Sequence, residues 1–176
     1  FGTAKKDAEN AIEEILKKEI EITPDDTSDS LFSKMAIVGG EAIVEFLDNA
    51  EYYITHGEAQ NESEMTYFPM LTKEMAHIDF NTPSEKLVNL IRGQYSCNTM
   101  YFTFNGSRYK VGFARVMEGQ GSAGEVLEVS AKKGLIVATI DSAIEITKIQ
   151  PEGKPMMEAR AFCNGCKIKV GDMLNN

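Results

Sequence analysis

A chain of 176 residues, 43% hydrophobic and 9% aromatic with no Trp, carries enough apolar material to bury one or two small cores. No apolar run approaches the roughly 20 residues that cross a bilayer, and the opening "FGTAKKDAENAIEE" lacks the apolar centre of a secretory signal. The net charge of −9 excludes a uniformly basic polyanion binder, but the acidity is local: residues 1–70 hold 5 basic and 16 acidic side chains, residues 71–176 hold 13 basic and 11 acidic.

The chain starts on Phe rather than Met and so reads as a processed or truncated product. Ala8, Ile12, Ile15 and Leu16 fall at helical spacing within residues 4–18, and the alternating "KKEIEIT" (residues 17–23) predicts a strand. A helix of about twenty residues is expected next. Its cap candidates lie in residues 25–30, and Leu31, Met35, Val38 and Ala42 lead an apolar face that runs on to Leu47, with Gly39 and Gly40 each costing about 1 kcal/mol relative to Ala. Residues 51–71 are polar, aperiodic and broken by Pro69, which reads as a linker.

"FNTPSEKLVNLIRGQY" (residues 80–95) predicts a separately specified helix of about three turns. Thr82 is the expected N-cap, Pro83 the first helical residue, Glu85 the capping-box partner and Gly93 the C-terminal cap, with Leu87, Leu90 and Ile91 forming one stripe. "MYFTF", the Asn105 and Gly106 pair, and "RYKVGFARVM" give a hairpin signal. Strands are also expected over residues 125–129, 135–140, 144–149 and 167–170. Short strands at such spacing indicate a small antiparallel barrel, with the capped helix plugging or flanking it.

"GQGSAG" (residues 119–124) fits the dinucleotide pattern by letter, but a β-patterned segment follows where a helix is required, so a loop is expected. "CNGC" (residues 163–166) supplies two ligands where structural zinc takes four, and it lacks a redox βαβ context; it reads as a turn with two thiols. Three cysteines make no disulfide framework and point to a reducing, cytoplasmic setting. The two histidines, His56 and His77, fall in and just after the polar segment and read as solvated. No position is assigned a catalytic or metal-binding role.

Several of these stretches, in order, resemble methionyl-tRNA formyltransferase in its later portion. They are "LKKEIEITPDDTSDSLFSKMAIVGGEAIVEFLD", "MTYFPMLTKEMAHIDFNTPSEKLVNLIRG", "GEVLEV", "GLIVAT", "IQPEGKPM" and "FCNGCKIKVGDML", spanning about residues 16–174. The resemblance implies an α+β chain: a helical remnant of a Rossmann-like formyltransferase domain (residues 1–50), a linker (51–71), and a small antiparallel OB-like β-barrel with a leading helix (72–176). It also implies initiator methionyl-tRNA as partner and, for the complete enzyme, 10-formyltetrahydrofolate as formyl donor, with no cofactor held by this chain. The family's catalytic Asn and His have no counterpart here, and its catalytic Asp position falls on Asn10. The family's Leu-Asn-Pro-Trp-Pro stretch is replaced by "QYSCNTM" (residues 94–100).

On this reading the phosphate-contact candidates are Lys73, Lys86, Arg92, Arg108, Lys110, Arg115, Lys132, Lys133, Lys154, Arg160, Lys167 and Lys169. The alternative reading is a divergent formyltransferase paralogue or interaction module that has lost catalysis and tRNA binding. The apolar stripe of the first long helix, left without its sheet, is then a self-association surface.

Overall fold

The computed structural model describes residues 13–59 and 61–175, which divide into two compact units. The first runs through Pro24 and resumes at Ser30–Met70; the second takes Asp25–Asp29 and continues from Leu71.

In the first unit, β1 (Glu13–Glu14) pairs antiparallel with β2 (Glu58–Ala59). Residues 4–12 of the expected N-terminal helix lie outside the described residues. The expected strand over residues 17–23 is not formed, because no neighbouring strand pairs with its alternating pattern. The long helix is observed as α1 (Ser28–Asp48), and the expected linker contains α2 (Ala50–Thr55) as well as β2. Lys18 and the Tyr53 hydroxyl both reach the Glu45 carboxylate, which holds Glu45 below the usual carboxylate range. No residue of α1 is buried, and Phe32, Met35, Ile37, Ile43 and Leu47 are exposed.

The second unit opens on α3 (Ser84–Gly93), preceded by a short 3-10 turn at Glu74–Ala76. Leu87 and Ile91 are buried, while Leu90 is only partly covered. Its ends differ from expectation. No side chain of Thr82 or Glu85 caps the helix. Instead the Ser84 N–H donates to Asp141 Oδ1 at 2.9 Å, and the Thr139 hydroxyl donates to the same oxygen at 3.0 Å. A carboxylate 57 residues away thus satisfies an orphan amide and sits at the positive end of the helix dipole. At the other end Gly93 stays helical; Gln94 donates to the Leu90 carbonyl and the chain winds on through Asn98, so no left-handed residue is needed.

Asp141 is held below its ordinary pKa, first by the Ser84 amide and then by Thr139. A depressed folded-state pKa contributes stability above the unfolded value, about 3.9, that is lost as pH falls through the folded value. Urea midpoints of the unaltered chain should therefore drop on acidification below about pH 4 more than those of Asp141→Ala.

Five strands follow: β3 (Tyr101–Phe104), β4 (Ser107–Met117), β5 (Val126–Ser130), β6 (Gly134–Ala138) and β7 (Ala143–Pro151), with a short β8 (Met157–Glu158) on β7. They form an antiparallel curled sheet of order β3-β4-β7-β6-β5. The β3–β4 turn places Asn105 (φ 49°) and Gly106 (φ 74°) both in the left-handed region, as a type I′ hairpin requires. The expected strand at residues 167–170 is not formed. That stretch is irregular chain with a bend at Lys167 and a turn from Val170, following a short helix, α4 (Ala159–Cys163), which sequence patterning did not indicate.

What closes the curled sheet is the last described segment. Gly171 and Leu174 donate to the Val126 and Gly124 carbonyls beside β5, and Asn175 donates to Thr103 O on β3. The Asn175 side chain accepts from the Thr103 N–H at 2.9 Å and donates to Ile78 O at 2.7 Å. Asn175 therefore fastens the segment to the β3 side of the opening while Gly171 and Leu174 hold the β5 side, and it does so in a left-handed conformation (φ 65°) that Asn tolerates better than most residues. Asn175→Ala loses two side-chain bonds at about 1 kcal/mol each and adds a left-handed penalty, so a loss of about 2–3 kcal/mol in a urea titration is expected. Inside lie Ile78, Phe80, Leu87, Phe102, Val111 and Ile146, each at most 3% or 5% exposed with the rest of one continuous core.

Candidate nucleic-acid interface

The alternation of β3, β4 and β7 sends Phe102, Val111 and Ile149 inward and leaves a second face outside. In register on that outer face, Tyr101 lies opposite Lys110, Thr103 opposite Arg108, Gln150 opposite Lys110 and Lys148 opposite Phe113. The Arg108 guanidinium lies over the Tyr101 ring at 4.3 Å, and Lys148 Nζ lies over the Phe113 ring at 5.3 Å. His77 meets Tyr101 edge-on at 5.2 Å, and Tyr95 packs on Phe113 at 5.0 Å.

This continuity depends on a bulge in β4 between Val111 and Phe113. The extra residue returns Phe113 to the outer face after Val111 has pointed inward. The space at this glycine is tight. A Cβ on Gly112 would stand 2.9 Å from the Met156 sulfur and 3.3 Å from Lys148 Cβ, the stem of the cation that the face presents.

The outer face thus combines three cations with aromatic rings, and among the described residues Arg108, Lys110 and Lys148 form no ion pair with a carboxylate within 4 Å. Such a surface suits an RNA strand. Ammonium and guanidinium groups displace counterions from phosphates, and aromatic edges tolerate any base.

The structure distributes the other expected candidates unevenly. Arg115 donates to Glu145 at 2.6 Å, and Arg160 on α4 stands 3.8 Å from the same carboxylate, whose side chain is only 4% exposed. These two guanidiniums neutralise a buried charge under α4. Lys133 pairs with Glu128 at 3.0 Å, holding Glu128 below the usual carboxylate range, beside Lys132 in the β5–β6 turn. Arg92 donates to Asn89 and to the Asp26 carbonyl. Lys73 and Lys86 are exposed on the 3-10 turn and α3, while Lys154, Lys167 and Lys169 flank the β7–β8 turn and the chain after α4.

Lys148 is the one basic residue of the second unit that was not expected as a contact. It sits mid-strand in "AIEITKIQ", a pattern that reads as buried, and a register shift at Thr147 on the same strand turns the side chain outward. "GQGSAG" is a loop with no helix behind it, as expected. All three cysteines are free, and burial pushes the Cys163 thiol up to about 11. Among the described residues no helix is long and apolar enough to cross a membrane, and no three His, Cys, Asp or Glu side chains gather to hold a metal ion.

The family described as "Formyl transferase, C-terminal domain" matches residues 70–167, over half of the chain. The chain belongs to this formyl transferase C-terminal domain family. Its match begins at the same point as the second unit. The methionyl-tRNA formyltransferase of Thermodesulfovibrio yellowstonii is 37% identical over 89% of this chain and 50% of its own length. That of Streptococcus gordonii is 35% identical over 92% of this chain and 52% of its own length. The chain spans about half the length of the curated relatives it matches, and it corresponds to their C-terminal portion.

Among solved structures, HypX from Aquifex aeolicus in complex with tetrahydrofolic acid superposes with a TM-score of 0.50 at 21% identity, over 69% of this chain and 22% of that one. That likeness concerns the fold. It agrees with the expected α+β class and with a curled antiparallel sheet of the formyl transferase C-terminal type.

Proposed function

We propose that the chain is the tRNA-binding C-terminal portion of a cytoplasmic methionyl-tRNA formyltransferase, with residues 1–50 ending the catalytic domain, 51–71 linking, and 72–176 forming the RNA-binding barrel. The observation that carries this reading is the outer face of β3, β4 and β7, where Arg108, Lys110 and Lys148 stand beside Tyr101 and Phe113 and, among the described residues, form no ion pair within 4 Å, although Glu158 lies opposite Lys148 and Glu152 accepts from the Arg108 amide. The role is backbone positioning. Cations on a sheet face grip phosphates in any sequence, and recognition of the initiator species requires further contacts.

On this reading the formyl donor of the complete enzyme is 10-formyltetrahydrofolate. His56 is stacked on Tyr52 at 4.3 Å, and His77 is edge-on to Tyr101 at 5.2 Å. The Asp-equivalent Asn10 lies outside the described residues.

Titration of labelled initiator methionyl-tRNA into the chain at several salt concentrations tests the proposal. Binding whose logarithm falls linearly with log[salt], with a slope of magnitude about 3 or more, is expected from three or more phosphate contacts. Binding that is undetectable at low salt, or indifferent to salt, contradicts it.

A further inference from the structure

A second depression, about 460 Å³ in volume, lies beside the proposed RNA face, between the tip of the β3–β4 hairpin, the β7–β8 turn and α4. Its volume falls in the range of about 300–1,000 Å³ usual for small-ligand sites. It adjoins the basic face directly: Pro151 and Glu152 line both this groove and the shallow depression that holds Arg108 and Lys110.

Its walls are aromatic and fixed. Tyr109 is stacked on the buried Phe102 ring at 5.2 Å and 11°, and meets Phe162 of α4 edge-on at 5.7 Å. Met157 completes the apolar lining. The polar groups are few. The Tyr109 hydroxyl makes no hydrogen bond among the described residues and is open to solvent, while its ring packs against the core. Burial, with Cys166 and Glu152 nearby, raises its pKa, so it is a neutral phenol able to donate and accept. Lys154 and Lys167 line the groove without an ion pair among the described residues, and Glu152, the carboxylate of the lining, accepts from the Arg108 N–H at 3.3 Å.

Apolar rings, one unpartnered phenol and two cations against one carboxylate match an aromatic heterocycle carrying a phosphate. We infer that this groove binds a nucleoside monophosphate unit, its base against Phe162 and the Tyr109 edge and its phosphate between Lys154 and Lys167. The unit is one unstacked nucleotide of the RNA on the adjacent face, or a free nucleotide. The first source rests on the RNA-binding reading and the second does not. Aromatic contact of this kind is tolerant of base identity, so the groove adds grip rather than sequence readout.

The test records the methyl resonance of Met157 in the intact chain, assigned with Met157→Leu, during titration with AMP, UMP and inorganic phosphate. In parallel, labelled initiator tRNA is titrated into the unaltered chain, Phe162→Leu and Lys167→Ala. The inference expects AMP and UMP to shift the methyl while phosphate alone shifts it much less, and Lys167→Ala to weaken AMP binding several-fold. If the RNA is the source, Phe162→Leu weakens tRNA binding about tenfold, and Lys167→Ala lowers its salt slope by about 1. Nucleotide shifts with tRNA affinity unaltered by either variant assign the groove to a free nucleotide. No nucleotide shift, with tRNA bound equally by all three proteins, overturns the groove and leaves the RNA face standing. No tRNA binding by the unaltered chain overturns the RNA reading, and the nucleotide titration then decides the groove by itself. Lys167→Ala alters an exposed side chain, so its result stands even if Phe162→Leu perturbs packing.

Discussion

Replacing Arg108, Lys110 and Lys148 together by Ala is expected to weaken tRNA binding roughly a hundredfold near 0.1 M salt and to lower the salt slope by about 2–3. Each cation that neutralises a phosphate releases close to one counterion, and three adjacent cations on one sheet face engage consecutive phosphates together. The fold should survive, because Arg108 and Lys110 are exposed and Lys148 spends its charge on the outside of the sheet. Lys132→Ala with Lys133→Ala is the informative control. That pair lies in the β5–β6 turn with Lys133 already held by Glu128, and on this account its effect on the slope is much smaller. A loss confined to the Lys132 and Lys133 substitutions would move the interface to the β5–β6 turn.

Phe102→Ala is expected to cost about 3–5 kcal/mol of unfolding free energy, the largest single-residue effect on stability foreseen for this chain. The ring is fully buried, stacks on Tyr109 and stands 6.5 Å from Phe80. Its removal leaves a cavity beside Phe80 and Tyr109. The functional consequence follows from the same geometry. Tyr109 loses the surface that fixes its ring, so nucleotide binding in the groove should fall even where enough folded protein remains to measure it. Urea titration with a near-ultraviolet readout of the tyrosines checks the first effect, and the Met157 methyl titration checks the second.

How much of this was readable from residue order depends on the range of each interaction. The β3–β4 hairpin was legible because its information is local: Asn105 and Gly106 take left-handed conformations that few other residues accept. The helix at Ser28–Asp48 was legible because a 3.6-residue apolar period is local as well. The N-terminus of α3 was misread for the opposite reason. Thr82 and Glu85 are well placed in sequence, but Asp141 reaches the Ser84 amide from a turn 57 residues away, and tertiary structure decides between them. Closure of the barrel through Asn175 is likewise invisible until Thr103 and Ile78 are neighbours in space.

The candidate site divides along the same line. Arg108 and Lys110 follow from strand alternation, so both were named from the sequence. Arg115 and Arg160 were named for their charge alone; their partner, Glu145, is buried by α4, a five-residue helix too short to leave a periodic signal. Lys148 was passed over because an extra residue on its own strand, Thr147, takes it off the face of Ile144 and Ile146. The groove beside α4 had no sequence signal. It is assembled from a hairpin tip, a turn and a helix that meet only in the folded barrel.

The most direct test of the central claim is backbone amide mapping of the chain, free and saturated with initiator methionyl-tRNA, by chemical-shift change or hydrogen-exchange protection. The account predicts that the changes concentrate on Tyr101, Arg108, Lys110, Phe113 and Lys148, and continue across Pro151 toward Lys154. Changes confined to the β5–β6 turn at Lys132 and Lys133, or to the exposed side of α3 at Lys86, with β3, β4 and β7 silent, would contradict it.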